Sequence, residues 1–206
     1  MLNDLPACQS PKEAPFENGL YFFYQDGELS KHAPKGCVVR VGNHPRSQDG
    51  LQQRLQMHYN GNKNSSVFRK SLGGAIIRSS NPNDPCLAPA PGKGHWEKQD
   101  AKACPQCRPV ENEVSHLLQS KFCFRCIRID DVELRNQLER KLIATLAQCP
   151  TCIPSDLWLG RYAYSEKVQR TGLWNSDHVD GPTMDSEDMA AFSRAVEAAF
   201  HAFEGR

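Results

Sequence analysis

The chain has 206 residues, a mass of 23.1 kDa, 39% hydrophobic and 24% charged residues, and a formal net charge of +1. These values allow a packed core and suit one domain with an elaboration or a small appendage. No apolar run is long enough to cross a bilayer, which argues against a membrane-spanning protein. The first residues lack the basic start and apolar core of a signal peptide, so we expect a cytoplasmic protein.

The first half of the chain predicts two strands followed by two helices. Two short β-rich runs at residues 20–24 and 37–41 are joined by a connection that contains Asp26-Gly27, and they indicate antiparallel strands. Leu51 and Leu55 have helical spacing and begin the first helix. Ser66 is a suitable N-cap for a second helix at residues 67–77.

The second half predicts an insertion, a third strand and two long helices. Residues 79–110 are rich in proline, asparagine and glycine turn signals. A short helix at 111–119, a strand at 121–129, a leucine-rich helix capped by Asp130 or Asp131 and an amphipathic helix at 186–203 follow. We therefore predict an α+β domain at 18–180, with a small mixed or antiparallel sheet flanked by helices. A tail at 1–17 precedes it, and a C-terminal helix at 181–206 packs on it.

Positive charge is concentrated in one part of the chain. Nine Lys or Arg residues and one acid lie between positions 31 and 78, whereas positions 181–206 carry five acids and two arginines. This basic excess suits a phosphodiester substrate or partner, and a solvated basic face is the alternative. Lys63, Arg69 and Lys70 are the candidate nucleic-acid contacts.

Three side chains near the first two strands form a candidate site. Tyr21 lies on the first strand, and Arg54 and His58 lie four residues apart on one face of the following helix. Together they can converge on one anion. Each also has a structural alternative, since Tyr21 can fill a strand face and His58 can border a helix.

The order of these motifs resembles the GIY-YIG nuclease superfamily. Gly19-Leu20-Tyr21 is similar to the first family motif, and Arg40-Val41-Gly42 takes the place of the second, with arginine where the family usually has tyrosine. Arg54 and His58 match the family's helix, Glu139 resembles its metal-binding glutamate, and Asn175 resembles its late asparagine.

The resemblance implies a divalent-metal-dependent endonuclease that hydrolyses phosphodiester bonds, with DNA as the expected substrate. One Mg²⁺ or Mn²⁺ ion on Glu139 would stabilise charge, Arg54 would hold the phosphate and Tyr21 would activate or orient water. His58 would position Tyr21 or shuttle a proton, and Asn175 would orient backbone or substrate. An unperturbed phenol has a pKa of about 10, so Tyr21 needs nearby positive charge, which Arg40 and the ion would supply. Because Arg40 removes a phenol, the rival hypothesis is a non-catalytic nucleic-acid-binding or interaction module on the same scaffold.

The nine cysteines include two Cys-Pro-x-Cys pairs, Cys104 with Cys107 and Cys149 with Cys152. The two-residue spacing can place two thiolates on one tetrahedral ion, so the pairs together predict a structural Zn²⁺ site. Cys86 and His95 are alternative ligands, and unbound or redox-active thiols are the alternative to zinc.

Overall fold

The computed structural model describes residues 2–29, 33–44, 50–84, 86–87, 96 and 105–204. Its centre is an antiparallel sheet of three strands: β1 (Gly19–Gln25), β2 (Val38–Gly42) and β3 (Phe122–Arg128). The strand order is β2-β1-β3, so the first strand lies in the middle. This arrangement confirms the α+β class and the antiparallel pairing of the first two strands.

Six α-helices surround the sheet in the described part of the chain. They are α1 (Gly50–Asn60), α2 (Val67–Ser80), α3 (Cys107–Lys121), α4 (Val132–Ala147), α5 (Glu166–Thr171) and α6 (Ser186–Glu204). Short 3-10 turns lie at Leu2–Asp4, Pro11–Glu13 and Leu159–Tyr162. None of the described helices is both long and apolar enough to cross a membrane.

The sheet carries a hydrophobic core on each face. Alternate residues of β1 point to opposite sides. Tyr21 and Phe23 pack with α1, α2 and α3, whereas Leu20 and Phe22 pack with α4 and α6. Because both faces are covered, β1 is a continuous apolar run instead of an alternating one.

Two helix starts agree with the caps expected from the sequence. The Ser66 hydroxyl accepts a hydrogen bond from the Arg69 amide at the start of α2. The Asp131 carboxylate accepts one from the Leu134 amide at the start of α4. Such caps satisfy amide donors that have no partner within the helix.

The N-terminal segment, which the sequence predicts as a tail, packs on the domain. Leu5 and Cys8 are buried. Cys8 exchanges two backbone hydrogen bonds with Phe124, at 2.8 and 3.0 Å. These bonds cover part of β3, which is the outer strand on that side and would otherwise present unpaired amides and carbonyls.

Candidate functional site

Tyr21 on β1 and His58 on α1 are in direct contact between the strand and the helix. The Tyr21 hydroxyl lies 2.7 Å from His58 Nε2, and His58 Nδ1 lies 2.8 Å from the Ser66 hydroxyl. His58 is fully buried and Tyr21 is 1% exposed. The central strand, α1 and the cap of α2 therefore form one hydrogen-bonded chain of three side chains.

The glycine of the second motif allows the tyrosine of the first motif to take this position. Tyr21 is paired directly opposite Gly42 in the antiparallel register of β1 and β2. A Cβ atom at Gly42 would collide with the hydroxyl oxygen and ring of Tyr21. The two motifs are thus linked by packing, because the phenol lies where any side chain at position 42 would begin.

Burial of His58 keeps its imidazole neutral. Burial is the largest of the effects that hold the pKa of His58 well below its usual range, and the positive charges of Arg40, Arg54 and Arg69 act in the same direction. A neutral imidazole has one N–H donor and one nitrogen acceptor. His58 can therefore donate to one of its two neighbours and accept from the other.

Glu139 approaches the same region from α4. Its Oε1 accepts a hydrogen bond from the Asn43 amide at 3.0 Å, directly after β2. Burial raises the pKa of Glu139, while the Asn43 amide and the charges of Arg40 and Arg54 oppose that rise. The end of β2 and the middle of α4 thus meet at this carboxylate, and the charge of Arg54 on α1 acts on it.

The Arg54 side chain makes one long hydrogen bond within the described residues. It is half-buried, and its Nη1 donates to the Ser65 carbonyl oxygen at 3.4 Å. A guanidinium has five N–H donors in a planar fork, which suits an oxyanion of phosphate. Arg54 therefore retains donors for a ligand.

Arg40 is held inside the fold. Its Nη1 donates to the Trp174 carbonyl oxygen at 2.7 Å, and its guanidinium lies 5.0 Å from the centroid of the Phe68 ring. Its charge nevertheless acts on both His58 and Glu139. Arg40 thus adds positive charge to the site while its side chain joins β2 to the segment before Asn175.

The Asn175 side chain makes two hydrogen bonds to the backbone of β2. Its Oδ1 accepts from the Val41 amide at 3.0 Å, and its Nδ2 donates to the Val41 carbonyl oxygen at 2.9 Å. The neighbouring Trp174 amide donates to the Val39 carbonyl oxygen at 2.7 Å. Of the two roles expected for Asn175, these contacts match the orientation of backbone.

The basic residues proposed as nucleic-acid contacts do not form an exposed face. Lys63 and Arg69 are each 1% exposed, and Lys70 is half-buried. The Lys63 ammonium lies 5.5 Å from the centroid of the Trp96 ring. Arg69 donates to the Glu111 carboxylate and to the carbonyl oxygens of His58, Tyr59 and Glu111. This placement corrects the expectation for Lys63 and Arg69, because their charges are used within the protein.

Cys107 and the later pair, Cys149 with Cys152, have different surroundings. Cys107 is buried with Ile77 and Trp96, and Cys86 packs against the same cluster. Cys149 and Cys152 follow the end of α4. Cys152 lines a cavity of about 240 Å³ with Cys37. The side-chain hydroxyl of Thr151 is the largest cause that lowers the pKa of Cys149 to about 7.

No zinc site is formed by the residues that the structure describes. Within those ranges, no three or more His, Cys, Asp or Glu side chains are grouped so that they could hold a metal ion. Cys107, Cys149 and Cys152 are described and do not form such a group, whereas Cys104 and His95 lie outside the described residues. Zinc bound by both pairs stays a prediction of the sequence.

Sequence reasoning missed the partners that hold the site together. The sequence indicates Ser66 only as a helix cap, although it also contacts His58. Asn43 and Asn136 join the end of β2 to α4 through a side-chain hydrogen bond of 2.8 Å. Glu111 received no role, although it is the ion-pair partner of Arg69. A polar residue directly after the second motif was the one available signal for Asn43.

Comparison with known proteins identifies the family. Searches among curated proteins and among solved structures gave no significant match. A family profile described as a GIY-YIG domain matches residues 2–201, nearly the whole chain. The paired motifs around Tyr21 and Gly42, the Arg54 and His58 helix and the antiparallel sheet agree with that match. The chain therefore belongs to the GIY-YIG domain family.

Proposed function

We propose that this protein is a metal-dependent endonuclease that hydrolyses phosphodiester bonds in DNA. The observation that carries the proposal is that Glu139 accepts the Asn43 amide next to Gly42, while Gly42 lies opposite Tyr21 and Tyr21 contacts His58. Arg54 lies one turn before His58 on α1. Membership in a nuclease-like family supports the proposal. These side chains supply a hydroxyl, a guanidinium and a carboxylate, which are the groups that this chemistry requires.

Glu139 fits a single hard divalent ion. One of its oxygens accepts the Asn43 amide, and its other oxygen makes no hydrogen bond to the described residues. One carboxylate with water and phosphate oxygens is a ligand set that Mg²⁺ accepts, and Mn²⁺ accepts similar oxygen ligands. When bound, the ion would stabilise negative charge on the phosphate and favour the ionised carboxylate, which burial disfavours.

The chain's own residues have separate roles in the proposed reaction. Arg54 binds a phosphate oxygen through its remaining donors, because its one described hydrogen bond is long. Tyr21 orients the attacking water through its hydroxyl, and His58 holds that hydroxyl in place. The buried Arg40 adds positive charge that favours an anionic ligand. Asn175 keeps β2, and therefore Gly42, in register with Tyr21.

The substrate path that we propose lies in the cleft between α1 and α4. A cavity of about 810 Å³ is lined by the N-terminal segment around Lys12, by Gln52, Gln53 and Gln56 of α1, and by Arg135 of α4. The reactive side chains do not line it, but α1 and α4 also carry Arg54 and Glu139. Exposed amides and Lys12 can contact a sugar–phosphate backbone.

A binding module without catalysis is the second candidate. It is favoured by Arg40, which takes the place of the second phenol and is bound to the Trp174 carbonyl oxygen inside the fold. Such a module would bind DNA with an affinity that falls steeply as salt rises, without cleaving it.

One experiment separates the two candidates. The protein is incubated with supercoiled plasmid and with single- and double-stranded oligonucleotides in Mg²⁺, in Mn²⁺ or in chelator, and the products are separated on denaturing gels. The proposed function predicts cleavage in at least one metal and none in chelator. Salt-dependent binding without cleavage in any metal would reject the nuclease and support the binding module. Neither binding nor cleavage would reject both.

A further inference from the structure

The Ser66 hydroxyl has two hydrogen-bonding neighbours among the described residues. It accepts the Arg69 amide hydrogen at 3.1 Å and lies 2.8 Å from His58 Nδ1. Ser66 is 1% exposed, so bulk water does not reach it. A buried hydroxyl hydrogen needs an acceptor. The Arg69 amide is a donor, which leaves His58 Nδ1 as the acceptor that this hydrogen can use.

We propose that Ser66 is a positioning residue that fixes the tautomer of His58, so that the imidazole carries its proton on Nε2 and donates it to the Tyr21 oxygen. The three side chains are then ordered in one direction, from the Ser66 hydroxyl to the imidazole and from the imidazole to the phenol. The neutral state of the buried imidazole agrees with this order, because it provides one donor and one acceptor.

In the opposite tautomer, the Ser66 hydroxyl accepts two hydrogen bonds and donates none to the described residues. Nδ1–H and the Arg69 amide would both donate to the Ser66 oxygen, and the hydroxyl hydrogen would have no acceptor among the described residues. In the proposed order the hydrogen without an acceptor among the described residues belongs to Tyr21, which is as buried as Ser66, so both orders make the same number of hydrogen bonds. The proposed function favours the order that starts at Ser66, because the substrate or its attacking water would accept the Tyr21 hydrogen. The choice of tautomer therefore rests on the proposed function, and it can be measured without activity.

The consequence for the proposed reaction is a fixed direction for Tyr21. Its oxygen receives a hydrogen from His58, so its own hydroxyl hydrogen points away from the imidazole. Outer partners that fix the tautomer of metal-bound histidines contribute about 10- to 100-fold to metal affinity or activity, and we expect an effect of similar size for the partner of His58. Loss of the Ser66 hydroxyl should therefore lower the cleavage rate by a factor in that range.

The test is the nitrogen-15 NMR spectrum of the His58 ring, which distinguishes the two tautomers in the full-length protein. The wild-type protein and Ser66→Thr, which keeps the hydroxyl, should both show Nε2–H. Ser66→Ala should show a mixture or Nδ1–H. Asp131→Ala removes the equivalent cap from α4, so it controls for loss of a cap and should leave the His58 signals unchanged.

The outcomes are distinguishable from those of the nuclease proposal. A wild-type spectrum with Nδ1–H, or a Ser66→Ala spectrum identical to that of the wild type, overturns the assignment of Ser66. A wild-type protein that cleaves no DNA refutes the nuclease proposal, yet the tautomer of His58 still decides the role of Ser66. Cleavage by Ser66→Ala at the wild-type rate, with an altered tautomer, overturns the consequence for Tyr21.

Discussion

Replacement of Arg69 by methionine should destabilise the protein strongly. Arg69 was a candidate phosphate contact from the sequence, but its guanidinium is buried against the Glu111 carboxylate at 2.8 Å. It also donates to the carbonyl oxygens of His58 and Tyr59 at 3.0 and 3.1 Å, at the end of α1. Methionine fills much of the same volume but supplies none of these donors. The Glu111 carboxylate and the two carbonyl groups would lose this partner.

The expected loss of stability follows from the burial of the pair. Removal of one partner from a buried ion pair costs about 3–5 kcal/mol, because the other charge is left uncompensated. For a chain of this size, each kcal/mol lowers Tm by about 2–4 °C. Arg69→Met should therefore lower Tm by about 6–20 °C. The neighbouring Lys70 is half-buried, and Lys70→Met should change the free energy of unfolding by less than about 0.5 kcal/mol.

The assay is urea unfolding followed by circular dichroism, with thermal melting as a second measurement. The double variant Arg69→Met/Glu111→Gln should lose less stability than the sum of the two single variants, because no buried charge remains unpaired. A Tm for Arg69→Met within 2 °C of wild type, together with weaker DNA binding, would refute the structural role and restore Arg69 as a phosphate contact.

Three further predictions follow from the site and its surroundings. Gly42→Ala should displace the Tyr21 phenol and lower the cleavage rate by at least about 100-fold. The control Gly74→Ala should remain active, because its Cβ would lie 3.7 Å from the nearest atom, in the Trp96 ring. Equal rates for the two variants in single-turnover assays would show that Gly42 is not needed to place Tyr21. Lys12→Glu should weaken DNA binding and flatten its salt dependence, because Lys12 lines the proposed substrate cavity. The control Lys167→Glu on α5 should leave DNA binding unchanged. Unchanged fluorescence-anisotropy titrations for Lys12→Glu would place the substrate elsewhere. Elemental analysis tests the zinc site that the sequence predicts: about one zinc per chain that Cys107→Ser releases would support it, whereas full retention of the zinc would exclude Cys107 as a ligand.

The features that the sequence predicts well are local ones. The apolar run of β1 and the caps at Ser66 and Asp131 depend on residues within a few positions of each other. The positions of Tyr21 and His58 were expected from motif order, and their contact follows once β1 and α1 pack together.

The features that the sequence missed depend on distant partners. Arg69 is neutralised by Glu111, which lies 42 residues away. The packing of the N-terminal residues depends on the pairing of Cys8 with Phe124, far along the chain. A count of charges along residues 31–78 therefore described composition correctly but did not distinguish buried from exposed arginines. Such distinctions require knowledge of which helices meet.

The most direct test of the account compares DNA cleavage by the wild-type protein and by Glu139→Gln at equal concentrations of folded protein. Glutamine keeps the shape of the side chain and loses the charge that would hold the divalent ion. We expect Mg²⁺- or Mn²⁺-dependent cleavage by the wild type and a rate at least about 1000-fold lower for the variant, with an unchanged circular dichroism spectrum. Cleavage by Glu139→Gln at the wild-type rate, or no cleavage by the wild type in any metal, would contradict this expectation.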